Sequence, residues 1–387
     1  MTVYLDNAAT SFPKPEVVYS TVNHFMREIG VSIGRGAYRK AFEADQMIYY
    51  ARKSLSELFN IKNEARIVFT SNITESLNVA LKGLLEPGDH VITSSMEHNA
   101  VWRPLKVLEK ERGIVITSVS CDSEGLLDPG KIKSSITGRT KLIVLIHASN
   151  VTGTLTPIAD VGAIAHEYNI PLLVDSAQSA GVYPIDVEAL KIDLLAFTGH
   201  KGLMGPMGTG GLFIREGISI KPFKEGGTGG DSILEHQPDS LPDRYEAGTL
   251  NVAGITGLGA AVKFILNEGV ENIHYKETKL TEYALKRLSE VKDIIIYGLK
   301  DTNNRLGVIS LNISSLNPQK VGHMLDQEYG IMVRTGLHCA PCAHMTIGTI
   351  KRGTIRLGIG YFNTERDIDL FVEAAKDILR ISKKIQL

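Results

Sequence analysis

The feature that most limits the folds open to this chain is a series of short, apolar, β-branched runs separated by helical stretches. RIVFT (66–70), HVITS (90–94), IVITSV (114–119), KLIVLIHA (141–148), PLLVD (171–175), DLLAFT (193–198) and TGGLFI (209–214) form the series. Several are apolar throughout instead of alternating, as strands covered on both faces of a parallel sheet are. Segments 73–85, 99–112 and 157–168 fall between them with helical character, giving βαβ units with right-handed crossovers. After about residue 252 the texture changes. VAGITGLGAAVKFILNEG reads as a long helix, and 271–291 sets Ile273, Leu280, Ala284, Leu288 and Val291 at helical spacing. Strand candidates GVISLNI (307–313), IMVRT (331–335) and TIRLGIG (354–360) follow, then a terminal helix with Thr364 as N-cap. The expected fold is α/β. A large, mostly parallel-sheet domain spans 13–252 and a smaller α+β domain spans 253–387, with segment 1–12 packing on the latter.

A sheet buried on both faces needs a large core, and 43% hydrophobic against 22% charged residues supplies one. The 42 basic and 43 acidic side chains leave a formal charge of −1 with no like-charged block. That argues against a nucleic-acid or anionic-membrane partner. No apolar run approaches the roughly 18 to 20 residues of a membrane span. Met1 leads into VYLDNAAT without a charged-then-apolar leader, so a cytoplasmic location is expected. Three cysteines make no disulfide framework, which points to thiol reactivity over thiol scaffolding.

In open parallel sheets ligands sit at the carboxyl ends of the strands. DLLAFT is followed there by Gly199-His200-Lys201-Gly202. A lysine just past a buried strand is where a desolvated amine could form a Schiff base, although an isolated lysine is more often a surface turn residue. PLLVD ends in Asp175, which could keep a pyridinium nitrogen protonated or simply cap a helix. One strand–helix–strand step separates the two, which sets them on neighbouring strand ends. Asn72, Ile73 and Thr74 open a helix whose free N–H groups suit a phosphate. His98 could stack on an aromatic ring, and Asn150 lies at another strand end. The glycine-rich stretches 205–211 and 224–230 lack the βαβ context of a nucleotide-binding loop and read as turns near a ligand. RTGLHCAPCAH (334–344) leaves a metal site, a redox pair or a single catalytic thiol open.

YLDNAATSFPKP, EHNAVWRP, NVTGTLTPI, DSAQSAG, FTGHKGLMGPMGTGGLF, YEAGTLN and VRTGLHCAP occur in this order between Tyr4 and about Tyr361. Together they resemble the class-V aminotransferases, fold-type I enzymes dependent on pyridoxal 5′-phosphate (PLP). RTG-x-HCA is similar to the group II (SufS-like) cysteine desulfurases, relatives of the selenocysteine lyases. The resemblance implies Lys201 as Schiff-base lysine, Asp175 as pyridinium partner and His98 as ring-stacking residue. It implies Gln178 and Asn150 near the ring oxygen, and Thr74, Thr198 and His200 on the phosphate. Thr249 would reach the phosphate from a partner subunit, making a homodimer. Arg356 would grip the substrate carboxylate, with Asn150, Arg334 and Arg35 completing the substrate set. Cys339 would accept sulfur from L-cysteine as a persulfide and leave alanine. That sulfur would pass to an acceptor protein, as in iron–sulfur cluster assembly. Four positions depart from the group II pattern: Gly34 and Tyr38 around Arg35, Leu337 before the His-Cys pair, and Cys342. Competing expectations are a selenocysteine lyase or other C–S lyase, a metal-binding or redox module using Cys339 and Cys342, and a non-catalytic relative. Cys342 is expected to be either passive or a resolving thiol.

Overall fold

In the computed structural model, which describes residues 2–229 and 232–385, the strands form three sheets. In chain order they are β1 (Val3–Tyr4), β2 (Ile67–Thr70), β3 (His90–Ser94), β4 (Val115–Val119), β5 (Thr140–Ile146), β6 (Leu172–Asp175) and β7 (Leu194–Thr198). β8 (Gly210–Ile214), β9 (Ile294–Tyr297), β10 (Val308–Ile313), β11 (Ile331–Met332), β12 (Arg334–Gly336) and β13 (Thr354–Gly358) complete the set. Each of the seven runs singled out in the first part of the sequence forms a strand. Gly230, the last glycine of 224–230, lies outside the described residues, as do 386–387 at the end of the C-terminal segment.

Seven strands form one sheet in the order β2-β8-β7-β6-β5-β3-β4. All neighbours are parallel except β8, which is antiparallel to both β7 and β2. The reversal follows from the β7–β8 connection, which holds no crossover helix and so returns the chain alongside itself. The absence of alternation has a direct cause. Leu142, Val144, Leu173 and Leu194 face one apolar cluster, with Leu77, Leu81 and Leu105 from the helices Ile73–Leu84 and Asn99–Arg112. Ile143, Leu145, Val174, Leu195 and Phe197 face the other, with Leu258, Val262 and Ile265 from the helix Val252–Glu268.

The C-terminal part forms a four-stranded antiparallel sheet, β12-β13-β10-β9. Leu280, Leu288, Ile309, Leu311, Ile355, Leu357 and Phe371 pack behind it. β1 pairs in parallel with β11, and Val3 and Leu5 join this cluster. Two details differ from the sequence reading. IMVRT is divided at Val333 into β11 and β12, which belong to different sheets, and β9 was not anticipated because it is a four-residue edge pairing only with β10. Thr364 does precede the helix Glu365–Ile385, but the cap runs in reverse: the Asp367 carboxylate accepts from the Thr364 N–H at 2.9 Å.

Candidate active site

The carboxyl ends of β5, β6 and β7 lie side by side, with Ile146 opposite Asp175 and Asp175 opposite Ala196. Asp175 is 2% exposed, and its Oδ1 accepts from the Ala177 N–H at 3.0 Å. Burial raises its pKa, while that hydrogen bond and Lys201 oppose the rise. Lys201 follows β7. Desolvation and then the nearby Arg356 guanidinium lower its amine to about 8. His98 caps the helix Asn99–Arg112, its Nδ1 accepting from the Ala100 N–H at 3.0 Å. Burial, then Lys201 and Arg356, lower it to about 4, so the ring is neutral at pH 7 and carries its proton on Nε2.

Arg356 on β13 is 3% exposed and bonds Asp6 Oδ1 at 3.0 Å and the Asn150 carbonyl at 3.1 Å. Arg334 reaches the other Asp6 oxygen at 3.1 Å from a half-exposed position. Asn150 donates through Nδ2 to the His338 carbonyl at 2.7 Å, and its buried Oδ1 has no partner among the described residues. Gln178 donates to the Ala8 carbonyl at 3.0 Å and lines a cavity with Lys201. Cys339 is exposed, and its carbonyl accepts from the Asn99 N–H at 2.8 Å, beside His98. Burial lowers the Arg356 pKa, and its pairing with Asp6 opposes the shift. The geometry thus brings Lys201, Asp175, His98, Asn150, Gln178, Arg334, Arg356 and Cys339 to one place.

His338 and Cys339 both adopt left-handed backbone, at φ 48° and 57°. Each such non-glycine residue costs roughly 1 kcal/mol or more unless neighbours hold it. A hydroxyl chain does so: Ser310 donates to the Val151 carbonyl at 2.6 Å, Thr354 to Ser310 at 3.1 Å, and His338 Nε2 lies 2.9 Å from Thr354. Since Thr354 already donates, it accepts from His338, whose proton is therefore on Nε2. Desolvation and Arg356 push His338 far below its ordinary pKa. It is a neutral latch.

Thr198 is buried at the end of β7, and its hydroxyl reaches the Thr209 carbonyl at 3.4 Å. The His200 Nδ1 is buried without a partner among the described residues. Thr74 is exposed in the first turn of Ile73–Leu84, whose N-cap Asn72 accepts from the Glu75 N–H at 3.0 Å. A Cβ on Gly210, which pairs with Thr198, would lie 2.8 Å from the Asn72 backbone, so this helix start abuts the strand end. Thr249 is exposed on a loop, and Arg35 donates to the Gly229 carbonyl and the Ser232 hydroxyl.

A family model described as aminotransferase class-V matches residues 3–371. The chain belongs to the class-V aminotransferase family. It is 35% identical to a probable cysteine desulfurase of Methanothermobacter thermautotrophicus, covering 97% of this chain and 94% of that protein. It is 33% identical to a cysteine desulfurase of Escherichia coli O157:H7, covering 98% and 93%. Among solved structures, the apo cysteine desulfurase of Thermococcus onnurineus NA1 superposes with TM-score 0.93 at 31% identity, covering 98% of this chain and 95% of the other. The S-sulfonic acid form of the Escherichia coli cysteine desulfurase CsdA gives 0.89 at 29%, covering 98% and 95%.

Three residues of this class-V aminotransferase escaped sequence reasoning. Asp6 neutralises two arginines that follow it by more than 300 residues, a pairing no local pattern betrays. Lys14 is lowered to about 8 by burial and donates to the His200 carbonyl at 3.0 Å. Glu97, overshadowed by His98, is fully buried. Its Oε1 accepts from Ser94 at 2.6 Å and from the Ile146 N–H at 3.1 Å, and burial raises its pKa to about 8. Cys342 is 5% exposed in the short helix Pro341–Thr346, and burial and Glu97 raise its thiol. Among the described residues no three His, Cys, Asp or Glu side chains converge as a metal-ligand set, and no helix is long and apolar enough to cross a membrane.

Proposed function

We propose that this protein is a PLP-dependent cysteine desulfurase that converts L-cysteine to L-alanine and takes the sulfur onto Cys339. The observation that carries this reading is an exposed thiol on the segment that Asn150 ties to Arg356, in a site that also holds a low-pKa lysine and a buried aspartate on neighbouring strand ends. A plain transaminase has no use for that thiol.

The residues present fit the cofactor. Asp175 is a desolvated carboxylate with one backbone donor and a lysine nearby, a setting suited to a pyridinium N–H. The unpartnered Asn150 Oδ1 and His200 Nδ1 are buried polar atoms that a polar ligand would satisfy. Asn72, Ile73 and Thr74 offer a helix start to a phosphate, next to Thr198 and His200. When bound, PLP supplies an electron sink for charge developing at the substrate Cα.

The chain's own groups then divide the work. Lys201 would hold the cofactor, and its neutral amine would remove the substrate Cα proton. Asp175 would keep the ring nitrogen charged, and His98, neutral and fixed by its cap bond, would pack against the ring. Arg356, with Arg334 nearby, binds the substrate carboxylate while Asp6 holds both guanidinium groups in place. The Cys339 thiolate attacks the substrate sulfur. The carbon–sulfur bond breaks with its electron pair left on carbon, a sulfur–sulfur bond forms, and protonation of carbon gives alanine. Because Cys339 is exposed, its persulfide is open to an acceptor protein. A buried, raised Cys342 thiol favours a packing role over a resolving, redox or metal-binding one.

The active form is read as a cytoplasmic homodimer. Phe42, Tyr49 and Tyr50 are exposed on the helix Arg39–Leu58, an apolar face suited to a second copy, and Thr249 is free to reach that copy's phosphate. A large unit over 13–252 and a small one over 253–387 is the proposed division, supported by the separate sheets, although the helix Val252–Glu268 packs on the large sheet through Leu258, Val262 and Ile265. The test is a panel of cysteine, selenocysteine and cysteine sulfinate read by alanine release and by mass spectrometry of Cys339. A gain of about 32 Da, one sulfur atom, is expected with cysteine. Faster turnover of selenocysteine without that adduct would instead make the protein a selenocysteine lyase.

A further inference from the structure

β2 is the edge of the seven-stranded sheet, paired only with β8. Its outward backbone groups at Ile67 and Phe69 would ordinarily need another strand. Two side chains stand in for one. Arg52, on the helix Arg39–Leu58, donates to the Ile67 carbonyl, and Glu246 accepts from the Phe69 N–H at 2.6 Å. Arg52 and Glu246 also form a bidentate pair at 2.9 and 3.0 Å, and the guanidinium lies 4.4 Å above the Phe69 ring. Both residues are buried, at 6% and 7% exposure. One ion pair therefore presents a donor and an acceptor at the spacing of an adjacent strand.

What β2 leads into gives this pair a role beyond closing an edge. Thr70 ends the strand, its hydroxyl bonds Ser76 at 2.8 Å, and the helix start at Asn72–Thr74 follows immediately. On its inner side that helix start is pressed against Gly210 without room for a Cβ. Its position across the sheet is thus set by β8 on one side and by the ion pair on the other. Glu246 also fixes the root of the loop that carries Thr249, between the Tyr245 hydroxyl bond to the Ile220 carbonyl and the Gly248 bond to Gly227.

We propose that the Arg52–Glu246 pair is a positioning device for the phosphate cradle at Asn72–Thr74, tuning affinity for the phosphate and not for the ring. This rests on the reading of the site as a PLP site. Its distinguishing consequence is selectivity between PLP and pyridoxal, which has the same ring and aldehyde but no phosphate. Apoprotein is titrated with each compound, read by absorbance and fluorescence, in wild type, Glu246→Gln, and Arg52→Met combined with Glu246→Leu. The double variant removes the pair without leaving a buried unpaired charge, and a thermal melt of each apoprotein checks that it folds.

Both variants should bind PLP about tenfold or more weakly, because a small displacement of a binding group is costly, and should bind pyridoxal within about twofold of wild type. Equal weakening toward both compounds would reduce the pair to a general structural role and overturn the proposal. Unchanged PLP affinity in the double variant would overturn it as well. Wild-type protein that takes up neither compound would refute the PLP reading and the proposal with it, an outcome distinct from failure of the clamp alone.

Discussion

The lowered Lys201 amine has a rate consequence that can be worked through. Only the neutral amine attacks an aldehyde, so cofactor capture by apoprotein follows the neutral fraction. With the amine at about 8, that fraction is about 0.09 at pH 7 and about 0.9 at pH 9. An ordinary lysine near 10.4 would give about 0.0004 and about 0.04. The protein therefore gains roughly 200-fold at pH 7, rises about tenfold to pH 9 and then levels off, where an ordinary lysine rises about a hundredfold with no plateau. Two substitutions probe the cause. Arg356→Gln removes the largest cationic influence and should move the midpoint up, slowing capture at pH 7. Asp6→Asn removes a carboxylate that favours the charged amine and should move it down. Stopped-flow absorbance of added PLP across pH 6 to 11 measures this, with a free alkylamine correcting for the cofactor's own protonation. A wild-type midpoint of 10 or above, or both variants shifting in the same direction, would refute the electrostatic account.

Cys339→Ala should abolish alanine release from cysteine, by about a hundredfold or more, while PLP uptake stays intact. Full activity in a steady-state assay would sink the thiol's role. Cys342→Ser should leave turnover and the lifetime of the Cys339 persulfide unchanged, lowering stability by about 1 kcal/mol in urea unfolding because a hydroxyl replaces a buried thiol. Glu97 binds its proton more tightly folded than unfolded, so it subtracts stability progressively as pH rises from its ordinary value near 4.5 to about 8. Glu97→Gln, which keeps an acceptor for Ser94 and Ile146 without the charge, should lose that term. The stability difference in favour of the variant should therefore grow between pH 5 and pH 8 in paired denaturant titrations.

The sheet was legible because burial on both faces leaves a strong signature: Leu142 to Ile146 and Leu194 to Thr198 are apolar at consecutive positions, and no exposed strand needs that. Lys201 and Asp175 were legible for the related reason that strand ends can be located once strands are. What stayed hidden is contact between distant segments. Asp6 lies beside a two-residue strand in a stretch whose ion pairs are set by β13 and β12, and sequence spacing carries no trace of them. The burial of Cys342, at 5% exposure, was hidden as well, because a C-x-x-C spacing does not encode it. The tautomer of His338 was hidden too, because only the direction of the hydroxyl chain through Thr354 and Ser310 shows that its proton is on Nε2 and its free nitrogen is Nδ1.

The Asp6 pairing also fixes an order in time. Asp6 is made well before its partners, which follow it by 328 and 350 positions. β1 likewise waits for β11. During synthesis the seven-stranded sheet, complete in sequence by Ile214, can assemble while Arg334, Arg356 and Cys339 are still inside the ribosome or unmade. A nascent chain can thus present Lys201 and Asp175 before Cys339 is available. The two halves of the site are separated by the interval of translation between residues 201 and 356, and the beginning of the chain is what joins them.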